Sequence, residues 1–451
     1  MQRALAFDRS PPLGVAFRFF LNVPVFLLLA ALGLAWIAIS GPYTRWNPGV
    51  LAATHLLTLG VLASAMLGAM MQILPVATHI RVLHAHVTSR LVHACLTLGT
   101  LSLALGFLTG RPPLHAAAVV LLAAAFLVFL VAVAGGLIRD HAQQSKGSKE
   151  ILIAVRLALA ALAITVLVGL FMAGMRGGLW LAVAPSVAAW LQHLPDLHVL
   201  WGLAGWVGLL VVGISYQVIP IFQATEIYPR ALTDTLAPVV FLLLVGITVA
   251  AAPSADDSGA LVTRILPAAL LCVGYLIYAG TTFWLLLTRK RPAPEPTTWF
   301  WHVAMVALML AALLGMAYPW ARSGALRPDT WQMLLGTLLI AGFAVSAVNG
   351  MLYKIVPFLL WHNAQRRAPV ALPFMPKVRQ FIEERHAMQQ FAAHLAAVVL
   401  LAVASVAPVA LLPAALALAV SAVLLARNIS RALMLYTSTC RRIHEALGPQ
   451  A

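Results

Sequence analysis

The sequence predicts an all-α polytopic membrane protein, with twelve transmembrane helices in three pseudo-symmetric four-helix units. Three observations carry this reading. Of the 451 residues, 62% are hydrophobic and only 9% charged, and the mean hydropathy is +0.95, which is outside the range of soluble globular chains. The apolar stretches run unbroken for about 20 residues, the length a helix needs to cross a bilayer. Barrel strands would instead alternate in polarity every second residue. Finally, one pattern, G-x7-G-x3-[Q/K]-x2-P, occurs three times: Gly60, Gly68, Gln72, Pro75; Gly205, Gly213, Gln217, Pro220; and Gly342, Gly350, Lys354, Pro357. The copies lie 145 and 137 residues apart, so the chain is one transmembrane domain, residues 1–451, built from repeats near 10–140, 150–290 and 295–440.

Charge and Pro/Gly clusters bound each span. The first, 16–40, opens with Phe17-Arg18-Phe19-Phe20, and the apolar stretch after these is long enough to span rather than to serve as a cleaved signal. The second, 50–77, opens on Asn47-Pro48, a helix cap followed by the residue best suited to a first turn. Arg81 and Arg90 separate it from the third, 87–109, and Arg111 separates that from the fourth, 114–138. Arg139, Lys146 and Lys149 precede the fifth, 151–174; Arg176 closes it, and Pro195-Asp196 introduces the sixth, 198–222. Arg230 precedes the seventh, 231–252, and Asp256 and Asp257 lie between it and the eighth, 261–288. Arg289, Lys290 and Arg291 lead to the ninth, 299–320; Arg322 and Arg327 lead to the tenth, 330–360. A basic loop with Arg366, Arg367, Lys377, Arg379 and Arg385 precedes the eleventh, 390–408, and the twelfth is 410–436. Four spans per repeat make the patterned helix the second of each unit. Leu266-Pro267-Ala268-Ala269 and Leu412-Pro413-Ala414-Ala415 match in the fourth helices of units two and three.

The even-numbered loops, with Arg3 and Arg9 and with Arg441 and Arg442, carry most of the basic residues. The positive-inside rule therefore places both termini in the cytoplasm of a bacterial inner membrane. The net charge of +16 is a topology signal, helped by anionic lipid, and not a nucleic-acid surface, since no soluble basic domain exists to carry one. Cys95, Cys272 and Cys440 form no ligand-spaced cluster. The 13 acidic residues all fall in loops or at helix ends, so no carboxylate is available at mid-membrane to hold a coupling ion. Lys354, which replaces Gln in its repeat, is a candidate contact for a heme propionate or lipid phosphate, or an ordinary interfacial lysine.

Histidine is the intramembrane chemistry that remains. An imidazole in lipid must be bonded, and neutral imidazole is a common axial ligand of heme iron. In the outer tier are His55, about two turns into helix two, and His198, at the start of helix six. In the inner tier are His93 on helix three, His302 on helix nine and His394 on helix eleven. Aligned by the repeat, His198 corresponds to Ala53 and not to His55, a turn of about 200°, so the two outer rings are expected to face different interhelical spaces and need not share one iron. The second ligand of an iron at His55 could then be another His or Met333 on helix ten.

Twelve helices, threefold repetition and a His near the outer end of helix two resemble the heme-copper oxidase subunit I superfamily. Within it, His55 to Met70 (HLLTLGVLASAMLGAM) and Phe17-Arg18-Phe19-Phe20-Leu21 are most similar to the NnrS family. The resemblance implies heme b, a link to nitric oxide, and a diatomic gas or quinol as ligand, with a cytochrome as possible partner. It carries the helix-two ligand onto His55 and, by approximate place, the helix-six copper ligand onto His198. It carries no copper site: 232–252 and 331–360 contain no His, so a proton-pumping terminal oxidase is not expected. Three classes fit the residues: a heme-b membrane protein of redox or gas chemistry, a secondary transporter, or a non-catalytic assembly protein whose intramembrane His are merely satisfied. Threefold rather than twofold repetition stands against the transporter.

Overall fold

The computed structural model describes residues 6–143, 149–180, 188, 190–251, 265–291, 293–321, 328–367 and 375–447. Arg3, Lys146, Asp256, Asp257, Arg322 and Arg327 lie outside the described residues. Twelve helices are long and apolar enough to cross a membrane: α1 Leu13–Ser40, α2 Pro48–Thr78, α3 Ala85–Thr109, α4 Pro112–Arg139, α5 Lys149–Arg176, α6 Leu194–Gln223, α7 Arg230–Ala250, α8 Leu266–Leu287, α9 Pro296–Tyr318, α10 Pro328–Arg366, α11 Glu384–Val406 and α12 Pro408–Glu445. These are the twelve spans expected from the sequence. The largest departures are polar helix ends: α11 starts six residues early, and α10 and α12 run on past the apolar stretch through Arg and His. Backbone hydrogen bonding continues there in water, which hydropathy does not register.

The three helices that carry the repeated pattern, α2, α6 and α10, form the interior. In their most apolar stretches α2, α6 and α10 are 72%, 61% and 61% buried, against 22–44% for the other nine. Their repeated glycines account for the close approach. A Cβ on Gly60 would lie 2.2 Å from Phe26 of α1, and one on Gly68 would lie 2.8 Å from Phe19. Gly205 and Gly213 meet Ala161 and Ala154 of α5 in the same way, at 2.9 and 2.5 Å. Gly342 and Gly350 meet Ala307 and Phe300 of α9 at 2.6 and 2.7 Å. In all three pairs the two partner residues stand seven apart, two helical turns, on one face of the preceding helix.

The same three helices change their hydrogen bonding at one place. Each widens into a π-helical stretch around the first glycine of the pattern: Leu56–Ala63 in α2, Leu200–Gly208 in α6 and Leu338–Val345 in α10. A second such stretch, Leu74–Thr78, surrounds Pro75, where the missing N–H already breaks the regular ladder. As expected, Asn47 caps α2. Its side chain accepts from the Gly49 N–H at 2.8 Å, with Pro48 in the first turn.

Asp140 closes α4 on the side of the termini. It is 1% exposed, and Arg139 grips it with Nε and Nη2, each at 2.8 Å, while the Arg81 backbone N–H donates at 2.9 Å. The bond to Arg139 holds its carboxyl well below the ordinary range. Lys354, the candidate contact for a propionate or lipid phosphate, has its ammonium paired with the carboxylate of Glu295, just before α9.

Candidate functional site

At the bundle end away from the N-terminus, the structure brings the two outer histidines together. The rings of His55 and His198 have centroids 6.3 Å apart, with planes 22° from parallel. The expectation that they face different interhelical spaces therefore fails. That expectation assumed two helices meeting at equivalent positions, whereas α2 and α6 meet with unlike faces, and a register offset can then bring two rings together. Arg45, in the loop before α2, bonds Asp196 in the first turn of α6 at 2.7 Å and ties the two helix starts to each other.

The hydrogen bonds fix the tautomer of each ring. His55 Nδ1 donates to the Leu51 carbonyl at 2.7 Å, and His198 Nδ1 donates to the Thr165 carbonyl of α5 at 3.0 Å. A carbonyl only accepts, so each Nδ1 carries the hydrogen and each Nε2 keeps its lone pair. Metal-binding histidines are commonly oriented this way, by a donor bond from the other nitrogen. Gly169 of α5 makes room for the second ring: a Cβ there would lie 2.8 Å from His198 Cε1.

His115, on the first turn of α4, belongs to the same neighbourhood. It is 3% exposed, and its Nε2 is buried without a hydrogen-bond partner. Phe107 of α3 stands between it and His55, with ring centroids 5.3 and 5.2 Å away, and the Arg176 guanidinium lies over that phenylalanine at 5.5 Å. No signal singled out His115 in the sequence, because it follows Pro112-Pro113 at a helix start, where a solvated histidine is the ordinary expectation.

The inner tier is arranged differently. Both ring nitrogens of the buried His394 are committed, Nε2 to Ser346 Oγ at 2.8 Å and Nδ1 to Asn349 Nδ2 at 3.4 Å. His93 Nε2 bonds Asn22 Oδ1 at 3.1 Å, and Asn22 in turn donates to Ser64 and Thr97. The two sites correspond. His93 packs on Phe19 and His394 on Phe300, at 5.4 and 5.5 Å, and these are the phenylalanines that meet the second glycine of their repeats. Ser64 and Ser346 both stand four residues after the first glycine. His302 lies between Phe283 and Trp299, its Nε2 buried without a partner.

Among the described residues, no group of three or more His, Cys, Asp or Glu is placed to hold a metal ion. Two imidazoles whose free nitrogens are uncommitted and whose other nitrogens are anchored do suit axial ligation of a heme iron, which needs only one or two protein ligands. Met333 is buried in the first turns of α10; the ring beside His55 is that of His198. No protein-family model matches the chain, and no curated protein matches it in sequence.

Proposed function

We propose that this chain is a heme-b-binding protein of the bacterial inner membrane, concerned with redox or diatomic-gas chemistry. In this reading it is a degenerate relative of heme-copper oxidase subunit I, nearest the NnrS family. The observation that carries the proposal is the His55–His198 pair, with both Nδ1 atoms spent on backbone carbonyls and both Nε2 lone pairs free. A heme bound there would supply reversible one-electron chemistry and, with only one of the two histidines as ligand, a site for nitric oxide. The chain's own residues orient the ligands: Leu51 and Thr165 hold the tautomers, Gly169 admits the His198 ring, and Arg45 with Asp196 keeps α2 against α6. The inner His394 serves packing, since both its nitrogens are taken up by Ser346 and Asn349, and the Nε2 of His93 is spent on Asn22.

The pseudo-threefold reading rests on two regularities, the seven-residue spacing of the glycine partners and the π-helical stretch shared by α2, α6 and α10. The distribution of basic residues supports cytoplasmic termini, which puts the His55–His198 pair on the outer side.

Heme content per chain in purified protein tests the assignment. His55→Ala and His198→Ala are each expected to lower bound heme at least several-fold while the chain still inserts. Undiminished heme in both variants would move the ligands to His302 or His115, whose Nε2 atoms are also free.

A further inference from the structure

In the half of the bundle opposite the outer histidines, a cavity of about 370 Å³ opens between the start of α11 and α12. Its wall is mostly polar. Gln380, Glu383, Arg385 and His386 come from α11 and the segment before it, and Asn428 and Arg431 come from α12. The charges here do not cancel. Glu383 is spent on Arg385, whose Nε donates to it at 2.7 Å. Arg431 Nη1 donates to His386 Nε2 at 3.3 Å, and Arg427, one turn before it, donates through Nη2 to Gln389 Oε1 at 3.1 Å. A guanidinium only donates, so His386 accepts as a neutral ring. Among the described residues, no carboxylate pairs with Arg427 or Arg431. Two like charges four residues apart on one helix also repel each other.

The two arginines also lie on the outward face of α12. Val420, Val423 and Met434 stand at three- and four-residue spacings from them and are 52%, 54% and 61% exposed, which marks this face as the one that meets lipid. Arg427 is the first charged residue of α12, so the pair stands where acyl chains give way to headgroups. We propose that this cavity binds the phosphate of an anionic phospholipid headgroup, with the Arg431 guanidinium as its principal donor. One N–H of Arg431 is spent on His386, which steadies the side chain at the cavity. The rest of the fork serves the paired bonds that guanidinium makes to phosphate oxygens. Arg427 adds positive charge from one turn away. A zwitterionic headgroup brings its own cation and loses most of this attraction.

The test is native mass spectrometry of the full-length protein, delipidated in detergent and titrated with phosphatidylglycerol or phosphatidylcholine of identical acyl chains. The first phosphatidylglycerol is expected to bind at least about fivefold tighter than the first phosphatidylcholine, equivalent to ~1 kcal/mol. Arg431→Gln should remove most of that preference, and Arg431→Lys, which keeps the charge without the fork, should retain part of it. Lys149→Gln removes a cation at the start of α5, on the same side of the bundle, and should leave the preference unchanged. Equal affinities in the wild type, a preference that survives Arg431→Gln, or an equal loss in Lys149→Gln would overturn the proposal. Inorganic phosphate separates the two sources of the group: millimolar phosphate is expected to leave the lipid bound, and its displacement would give the cavity to free phosphate and overturn the lipid assignment. The wild-type comparison decides even if a variant fails to fold.

Discussion

Two kinds of buried histidine share this bundle, and what separates them is the partner of each ring nitrogen. His55 and His198 spend one nitrogen on a carbonyl and keep the other; His394 spends both on Ser346 and Asn349. Sequence spacing favoured His55 and then His198 over the inner three, but it could not say which nitrogens are free, because several partner atoms come from other helices: Thr165 is on α5 and Asn22 on α1. A histidine is visible in a sequence, but the atom that satisfies it is not. Asp140 shows the same principle with a charge. Its carboxyl is held low by Arg139 and by the Arg81 amide, so its contribution to stability is present above the unfolded value, about 3.9. That contribution is lost as pH falls through the lowered folded value. Thermal unfolding of wild type and Asp140→Asn from pH 7 downward should show the wild type more stable at neutral pH, with the difference shrinking below about pH 4. A difference independent of pH would remove the carboxylate from this role.

At the scale of the helix, the repeated glycines were legible in the sequence and their purpose follows from packing. Replacing Gly213 by Ala adds a methyl 2.5 Å from the Ala154 Cβ. Alanine gains about 1 kcal/mol of helix propensity over glycine, and overpacking a closed interface costs about 1–3 kcal/mol, so a net loss is expected. Adding Ala154→Gly should recover part of it, measured as retained folded protein after heating in detergent. Additive losses in the double variant would show that the two residues do not share the contact. The π-helical stretches were not legible. Leu56–Ala63, Leu200–Gly208 and Leu338–Val345 are ordinary apolar sequence, and the change of hydrogen bonding is set by what packs around them.

For the whole molecule, helix number and the interior position of α2, α6 and α10 could be read from hydropathy and the repeat, and bounds wherever the apolar stretch ends the helix, as it does not in α10, α11 and α12. Both express constraints of the bilayer, which act on composition directly. The site was only half legible: His55 and His198 were named, but their meeting was not foreseen, and His115 with Phe107 went unnoticed. On the proposed reading the protein carries heme without a copper centre of the oxidase type, because 232–252 and 331–360 contain no histidine and His362 lies at the far end of α10 from the outer pair. Copper analysis is expected to give well below one ion per chain, and oxygen consumption with quinol or cytochrome donors should be negligible. A stoichiometric copper ion with fast oxygen turnover would mean the ligands are misassigned.

The central claim is that the outer histidine pair holds a heme, and the reduced-minus-oxidised spectrum of the purified membrane protein tests it most directly. The account predicts a b-type α-band in the wild type that is lost in His55→Ala, weakened in His198→Ala and retained in His394→Leu. A colourless wild-type preparation, or an α-band unchanged by both outer substitutions, would contradict it.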